Sequence, residues 1–465
     1  MLRSFLKDSA YYGIATLLSR GVSFLLVPLY THVLSPSDFG SLDLLLGFAN
    51  LITLTVALEV SQAAQRFYPD TIDEFHRRKL FSTAFYFSAA AYLFFVVLAW
   101  PSAPQLASAV MGRPGLILAF RIGLIYVFMN GVYIFLLNQL RCELRSRAYS
   151  LASFSSSLIT TVASALLTLI AHQGLIGLVA AMAIGSTAGT VLTLCLVWKR
   201  FCIQFDTSLL KRLLRFSLPL VPSSLAVFVN TYVDRLLINL CLSTAEVGVY
   251  GFAIRVANLA TILMVAFQAS LTPLLYARYS EPGTPAQLAR LFRLFVVFAL
   301  IAIVVLAGCS SSLVHWFAPP GFSQAQMVIP LLALSLLMAQ MYIFAPGPAL
   351  HGKTHVFIAV NGGVALLNAL LNLLMIPRLG LVGAALATGV ASGAGFSAIM
   401  VFSQRLYPVP HRWASLAFAS VTALGLSALL VANLLSVYGG VFLVIIMLAF
   451  WWRLGLFNPG LQVAH

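Results

Sequence analysis

Long apolar runs separated by short polar gaps make up almost the whole chain. Each run is long enough for an α-helix to cross about 30 Å of hydrocarbon. Because no gap provides enough residues for an independent domain, we predict an all-α integral membrane protein with fourteen spanning helices. The predicted spans cover residues 9–34, 40–65, 80–100, 115–140, 149–171, 174–198, 216–241, 246–276, 291–317, 326–350, 355–376, 381–403, 413–433 and 437–455.

The composition agrees with lipid as the main solvent. Apolar residues make up 61% of the 465 residues and charged residues 8%, and the mean hydropathy is +0.98. Soluble globular domains have about 45–50% apolar and about 25% charged residues, so an ordinary soluble protein is excluded. Arg3 and Lys7 precede the first run, as in a signal peptide. That run continues to about Leu34 without a small-residue cleavage pattern, so we expect a retained first span.

Lysine and arginine are distributed unequally between the two sides of the predicted membrane. The chain has 27 Lys and Arg against 12 Asp and Glu, a net charge of +15. With the N-terminus inside, 21 of the 27 fall in cytoplasmic segments, and only Arg113 and Arg378 fall in outer loops. This asymmetry predicts a multi-pass protein of the cytoplasmic (inner) membrane with both termini in the cytoplasm. We therefore expect the lipid bilayer, and no nucleic acid, as the partner of these charges.

Two sequence repeats predict internal duplication. LSPSDFG at 34–40 recurs as LSTAEVG at 242–248, an offset of 208, and GLIG at 174–177 recurs as GLVG at 380–383, an offset of 206. We predict two parallel six-helix repeats, at 1–205 and 206–405, with two appended helices at 406–465. Six helices is an even number, so the halves have the same orientation, and a substrate path is expected between them.

We single out six ionisable side chains inside predicted spans, where each costs several kcal/mol unless it faces a cavity or a partner. With four arginines and two carboxylates, the six side chains have a net charge of +2, which would attract a doubly charged anion. Spans 1, 2, 7 and 8 carry five of the six, so we expect them to line a central cleft. The six residues are Arg20, Glu59, Arg121, Asp234, Arg235 and Arg255.

Polar stripes on two spans add candidate substrate-binding residues. Tyr12 and Ser23 share a stripe on the first span, with Arg20 at its edge near the midplane. Asn230 and Asp234 share a face of the seventh span. Lipid cannot satisfy these groups, so each stripe meets either a water-filled cavity or a neighbouring helix. We predict the cavity, and packing between helices is the alternative.

Three charged positions have two interpretations each. Asp234 either neutralises Arg255 or Arg20, or binds a cation or proton. Glu59 is the other candidate for coupling transport to a Na⁺ or H⁺ gradient, or it pairs with an arginine. Arg121 either binds substrate or extends to the outer interface, since it lies six residues into its span.

No motif predicts enzymatic chemistry. HExxH, GxSxG and Walker sequences are absent, and the five cysteines are scattered without ligand spacing. We therefore predict a protein that is not an enzyme, with no catalytic residues, no metal site and no cofactor.

Three segments resemble a known family of transporters. They are LLSRGVSFLLVPLYTHVLSPSDFGSLDLLLGFANL at the start of the chain, RFY at 66–68 and VDRLLINLCLSTAEVGVYGFAIRVANL at 233–259. The resemblance is to the polysaccharide-export, Wzx-type flippases of the MOP superfamily, which also contains the MurJ and MATE branches. It spans the first twelve helices, and the two appended helices agree with the flippase branch rather than the twelve-helix MATE branch.

The resemblance implies a substrate and a mechanism. Family members move undecaprenyl-pyrophosphate-linked oligosaccharides from the inner to the outer leaflet by alternating access, through a cationic cavity that holds the headgroup. It implies roles for Arg20, Asp234, Arg235 and Arg255, which match charged positions of the family, whereas Glu59 and Arg121 match none. A polysaccharide polymerase and a chain-length regulator are the implied protein partners.

Two other functions are alternatives. The first is a cation-coupled drug or metabolite exporter of the MATE type. The second is a membrane polymerase or ligase acting on the same lipid, which would need a sizeable outer loop with catalytic residues. The longest outer loop here, near 101–114, holds Arg113 alone among charged residues.

Overall fold

α-Helices form almost all the regular structure that the computed structural model describes, which covers residues 21, 27–71, 73–262, 264, 268, 271, 279, 281–432, 434, 437–454 and 456. The predicted site residues Tyr12, Arg20 and Ser23 lie outside the described residues. In chain order the helices are α1 (Pro36–Thr55), α2 (Val60–Phe67), α3 (Glu74–Ala99), α4 (Ala103–Met111), α5 (Ile117–Cys142), α6 (Ser146–Ala165), α7 (Gly174–Val197), α8 (Thr207–Ser217), α9 (Val221–Cys241), α10 (Thr244–Ala257), α11 (Thr284–Phe317), α12 (Ala325–Gln340), α13 (Gly347–Leu350), α14 (Thr354–Leu406), α15 (Trp413–Val431) and α16 (Val437–Arg453).

The prediction of an all-α membrane protein is confirmed. Nine helical segments of the described residues are long and apolar enough to cross a membrane, or ten if α1 and α2 form one bent span. One of the nine, within α14, covers the two predicted spans 355–376 and 381–403. Gly380 divides them with φ 59° and ψ −137°, a conformation that glycine alone adopts readily. The number fourteen remains a prediction.

An amphipathic helix, α8, lies between two predicted spans and is an element that the apolar pattern did not indicate. Leu213 is fully buried on one face, while Lys211, Arg212 and Arg215 are exposed on the other. Asp206 caps its first turn and forms an ion pair with Lys79 at 2.7 Å. The Lys79 ammonium and the cap hydrogen bonds hold the pKa of Asp206 well below its ordinary value.

Helices α1 and α10 cross at Gly40 and Gly248, the last residues of the two repeated signatures. A Cβ atom on Gly40 would overlap the carbonyl oxygen of Thr244, and one on Gly248 would overlap that of Pro36. Pro36 and Thr244 are themselves related by the offset of 208. The contact is therefore symmetric under that offset, and only glycine permits it.

The chain divides into two compact units. Unit 1 comprises residues 1–248 and unit 2 residues 249–465. In unit 1, α5 packs against α7 and α3 around an apolar core that includes Leu80, Val127 and Leu136. In unit 2, α11 packs against α12 and α15, and α12 packs against α14. The predicted repeat boundaries at 205 and 405 remain predictions.

Candidate functional site

A buried ion-pair cluster joins α1 to α9 within unit 1. Nε of Arg235 donates to Oδ2 of Asp43 at 2.6 Å, and its Nη1 lies 3.4 Å from Oδ1 of Asp234. Asp43, Asp234 and Arg235 are only 6%, 4% and 8% exposed. We call these three residues the Asp43 cluster. Its two carboxylates and one guanidinium face one another in the interior instead of meeting lipid.

Further contacts fix the Arg235 guanidinium in place. Nη1 donates to the carbonyl oxygen of Thr231 at 2.5 Å, one turn earlier in α9. The guanidinium carbon lies 4.8 Å from the centre of the Tyr232 ring, within the range of a cation–π contact. Oδ1 of Asp234 accepts the backbone N–H of Arg235 at 2.8 Å. Arg235 thus holds α9 against α1.

Asp43 is a site residue that the sequence analysis missed. It lies inside the predicted span 40–65, so the rule for charges within a membrane applies to it as it does to Glu59. With Asp43 added to the six residues named above, the formal charges of the seven sum to +1. Asp234 forms an ion pair with its neighbour Arg235, and its pairing with Arg255 or Arg20 remains a prediction.

Glu59 lies at a break in the second predicted span. Leu58 and Glu59 both have left-handed backbone angles, with φ of 51° and 55°, and the axes of α1 and α2 differ by 49°. Left-handed angles cost a non-glycine residue about 1–3 kcal/mol each, and such strain concentrates at functional sites. The break turns the Glu59 carboxylate to α9, where it accepts a hydrogen bond from Ser224, and Gln62 donates to it at 2.9 Å.

A polar cavity of about 410 Å³ adjoins this break. Besides Glu59, its wall includes the polar side chains of Ser61, Ser88, Asn138 and Arg141. Ser88 is 2% exposed, and its Oγ atom makes no hydrogen bond among the described residues. We call this space the Glu59 cavity. Buried hydroxyl groups nearly always have a partner, so the Glu59 cavity has the chemistry to hold a small polar ligand or a cation.

The remaining predicted site residues lie at separate places. Arg121 stands over the ring of Trp100, its guanidinium carbon 5.6 Å from the ring centre, at adjoining ends of α5 and α3. Asn230 is half-buried on α9, one turn before Asp234. Arg255 is half-buried in the last turn of α10, in unit 2. The described residues contain no group of three or more His, Cys, Asp or Glu that could hold a metal ion.

The many apolar helices define a multi-pass membrane protein, and its fold is similar to the folds of solved transporters. The chain is similar to a lipid II flippase, MurJ, in an inward closed conformation (TM-score 0.72, 17% identity, covering 95% of this chain and 98% of that one). It is also similar to an inward-facing multidrug resistance MATE family transporter of the MOP superfamily (TM-score 0.68, 16% identity, covering 89% and 96%). A MATE transporter of Vibrio cholerae, VcmN, gives a TM-score of 0.60 at 15% identity, covering 87% and 97%.

The sequence itself identifies the family. A family model described as polysaccharide biosynthesis protein matches residues 30–282, more than half of the chain. The chain therefore belongs to this family, as the resemblance predicted, and its fold is similar to that of a MATE transporter of the MOP superfamily. Its structural neighbours are transporters and not enzymes. No curated protein matches the sequence significantly.

Proposed function

We propose that the protein flips an undecaprenyl-pyrophosphate-linked oligosaccharide across the cytoplasmic membrane during the assembly of a surface polysaccharide. The main support for this proposal is the match of residues 30–282 to the polysaccharide biosynthesis family. The many helices that are long and apolar enough to cross a membrane agree with a role in moving a lipid-linked sugar across it. The fold similarity to a lipid II flippase supports a lipid-linked sugar as the cargo class. A polymerase and a chain-length regulator would use the flipped product.

We propose Arg20 and Arg255 as the main ligands of the pyrophosphate, and Asn230, Tyr12 and Ser23 as supporting polar contacts. A guanidinium binds phosphate oxygens through two parallel hydrogen bonds, which an ammonium cannot reproduce. The contacts of Arg235 with Asp43 and Asp234 favour a positioning role for that arginine. The contact of Arg121 with Trp100 favours anchoring at the end of a span.

Net transport against a concentration gradient of the cargo needs an energy source, and we propose Glu59 as the group that couples it to a Na⁺ or H⁺ gradient. Asp234, the other candidate, already accepts two hydrogen bonds from Arg235. The Glu59 carboxylate borders a polar cavity and bonds to neutral donors, Ser224 and Gln62. Binding a cation or a proton there would weaken the bond to α9, which carries Asn230 and two residues of the Asp43 cluster.

A cation-coupled drug exporter is the second candidate, favoured by the MATE fold similarity and by the carboxylate of Glu59. Depletion of the protein in its own cells separates the two functions. We expect undecaprenyl-pyrophosphate-linked oligosaccharide to accumulate, measured by mass spectrometry of lipid extracts, with unchanged sensitivity to cationic drugs. An unchanged glycolipid pool together with increased drug sensitivity would instead establish the exporter.

A further inference from the structure

Unit 2 carries a large excess of positive charge. Residues 249–465 contain nine lysines and arginines but a single acidic residue, Glu281. A single carboxylate cannot neutralise nine cations, so the sequence of unit 2 keeps a large net positive charge.

Four arginines of unit 2 gather at one end of three helices. Arg290 and Arg293 lie one turn apart near the start of α11, Arg405 lies in the last turn of α14, and Arg412 caps the start of α15. Arg290, Arg405 and Arg412 are exposed, while Arg293 is only 4% exposed. The charges of Arg412 and Arg290 both act on Arg293. Four like charges at one place repel one another, so an anionic ligand would relieve this repulsion.

Aromatic rings pack together beside the four arginines and hold this end of the three helices in a fixed arrangement. The Phe292 ring lies between the two arginines of α11 in sequence and packs against His411 at 4.7 Å and Phe396 at 6.1 Å between ring centres. His411 also packs against Trp413 at 4.8 Å. The amide of Gln404 bonds both the N–H and the carbonyl of Val409, which fixes the segment that carries Arg412.

His411 adds no fifth cation to this end. Both of its ring nitrogens are buried and make no hydrogen bond among the described residues. Burial lowers its pKa to about 4, so the ring is neutral near pH 7 and serves as packing between Phe292 and Trp413. The arginines therefore lie beside a cluster of packed, uncharged aromatic rings.

A largely apolar cavity of about 520 Å³ adjoins Arg405. Arg405 and Trp413 form part of its wall, and Phe396, Met400 and Val401 are among the apolar residues that line it. Free phosphate would gain nothing from such a cavity, whereas an acyl chain would bury apolar surface in it. The combination of cations and an apolar cavity at a helix end fits a lipid with an anionic headgroup.

We propose that this end of unit 2 binds an anionic phospholipid, with its phosphate on Arg290, Arg405 and Arg412 and an acyl chain in the cavity. We call this the lipid site. The positive-inside asymmetry puts it at the inner leaflet, where anionic headgroups are available. The proposal does not depend on which substrate the protein transports. Arg293, below the surface, would strengthen the positive potential without needing direct contact.

Native mass spectrometry of the purified full chain tests the proposal, with dioleoyl phosphatidylglycerol and dioleoyl phosphatidylcholine as probes. Each basic group near an anionic headgroup contributes about 1 kcal/mol, so the Arg290→Gln/Arg412→Gln variant should bind phosphatidylglycerol about 30-fold more weakly. Arg378→Gln, which removes a charge from α14 far along the chain from Arg405, is the control and should bind like the wild type. Equal binding of the two lipids, or an unchanged affinity of the double variant, would overturn the proposal.

A second variant separates a lipid from a free phosphate. Val401→Trp should fill part of the cavity and weaken phosphatidylglycerol binding while leaving the binding of sn-glycerol 3-phosphate unchanged. Suppose that phosphatidylglycerol and sn-glycerol 3-phosphate bind equally well to the wild type, and that Val401→Trp weakens the binding of neither. The cavity then holds no acyl chain, and the proposal of a lipid site is wrong. A thermal unfolding midpoint equal to that of the wild type shows that each variant is folded.

Discussion

Gly40 and Gly248 lie at the crossing of α1 and α10, where the missing side chain of each makes room for backbone of the other helix. A Cβ on either residue would come within 2.9 Å of the backbone nitrogen of the other, and would overlap a carbonyl oxygen. Both neighbours are backbone atoms, which cannot rotate away. The two signature sequences of the repeat thus end in glycine for a steric reason.

Gly40→Ala and Gly248→Ala should each separate α1 from α10. Overpacking of this kind costs about 1–3 kcal/mol, so we expect a lower thermal unfolding midpoint in detergent and reduced glycan export. Gly425→Ala is the matched control, because a Cβ there meets nothing within 4 Å and alanine favours a helix interior. Export and stability of wild-type level in both crossing variants would show that the crossing tolerates a methyl group.

The Asp43 cluster predicts a defect in folding more than in binding. Asp43→Asn leaves the buried guanidinium of Arg235 with one carboxylate fewer, and removing one partner of a buried pair costs about 3–5 kcal/mol. We therefore expect much less Asp43→Asn protein in the membrane, measured by immunoblot. Asp38→Asn is the control, since the Asp38–Arg113 pair has side chains 29% and 36% exposed and such pairs contribute about 0–1 kcal/mol. Equal abundance of the two variants would contradict a structural role.

Glu59→Gln tests ion coupling. Glutamine keeps the size of the side chain and can still bond to Ser224, so we expect normal abundance. The variant loses the negative charge, and its transport in proteoliposomes should therefore no longer respond to an imposed Na⁺ or H⁺ gradient. Gln62→Ala, which keeps both the carboxylate and its bond to Ser224, should retain that response. A gradient response of Glu59→Gln equal to that of the wild type would exclude this carboxylate.

The proposed headgroup ligands predict a different pattern. Arg20→Ala and Arg255→Ala should abolish surface-polysaccharide export with near-normal protein abundance, and Arg20→Lys should restore it only in part, because an ammonium binds phosphate from a single point. Arg378→Ala, in a predicted outer loop, should export normally. Full export by both alanine variants would remove these arginines from the binding site.

Most of the architecture was predictable because a helix that crosses the hydrocarbon of a membrane needs a long, mainly apolar run of residues. Runs such as 117–142 and 174–197 are predominantly apolar, and Gly380 marks the break within α14. The break at Leu58 and Glu59 has no such mark, since neither residue is glycine or proline. It depends on tertiary contacts such as the bond from Ser224, 165 residues away in sequence.

The partners of buried charges were not predictable from one sequence. Hydropathy places Asp43, Asp234 and Arg235 at membrane depth, but it contains no information about which charges meet. Asp43 and Arg235 are separated by 192 residues, and only the packing of α1 on α9 brings them together. The same holds for α8, whose short amphipathic sequence gives no spanning signal.

Movement of a lipid-linked glycan by the purified protein tests the central claim most directly. Proteoliposomes containing the full chain and undecaprenyl-pyrophosphate-linked oligosaccharide extracted from the source cells can be treated with an impermeant glycosidase or periodate. We predict that wild-type protein exposes the inner-leaflet glycolipid to the reagent within minutes, while empty liposomes and Arg255→Ala do not. Protection of that glycolipid by wild-type proteoliposomes, together with gradient-driven uptake of a cationic drug, would contradict the account.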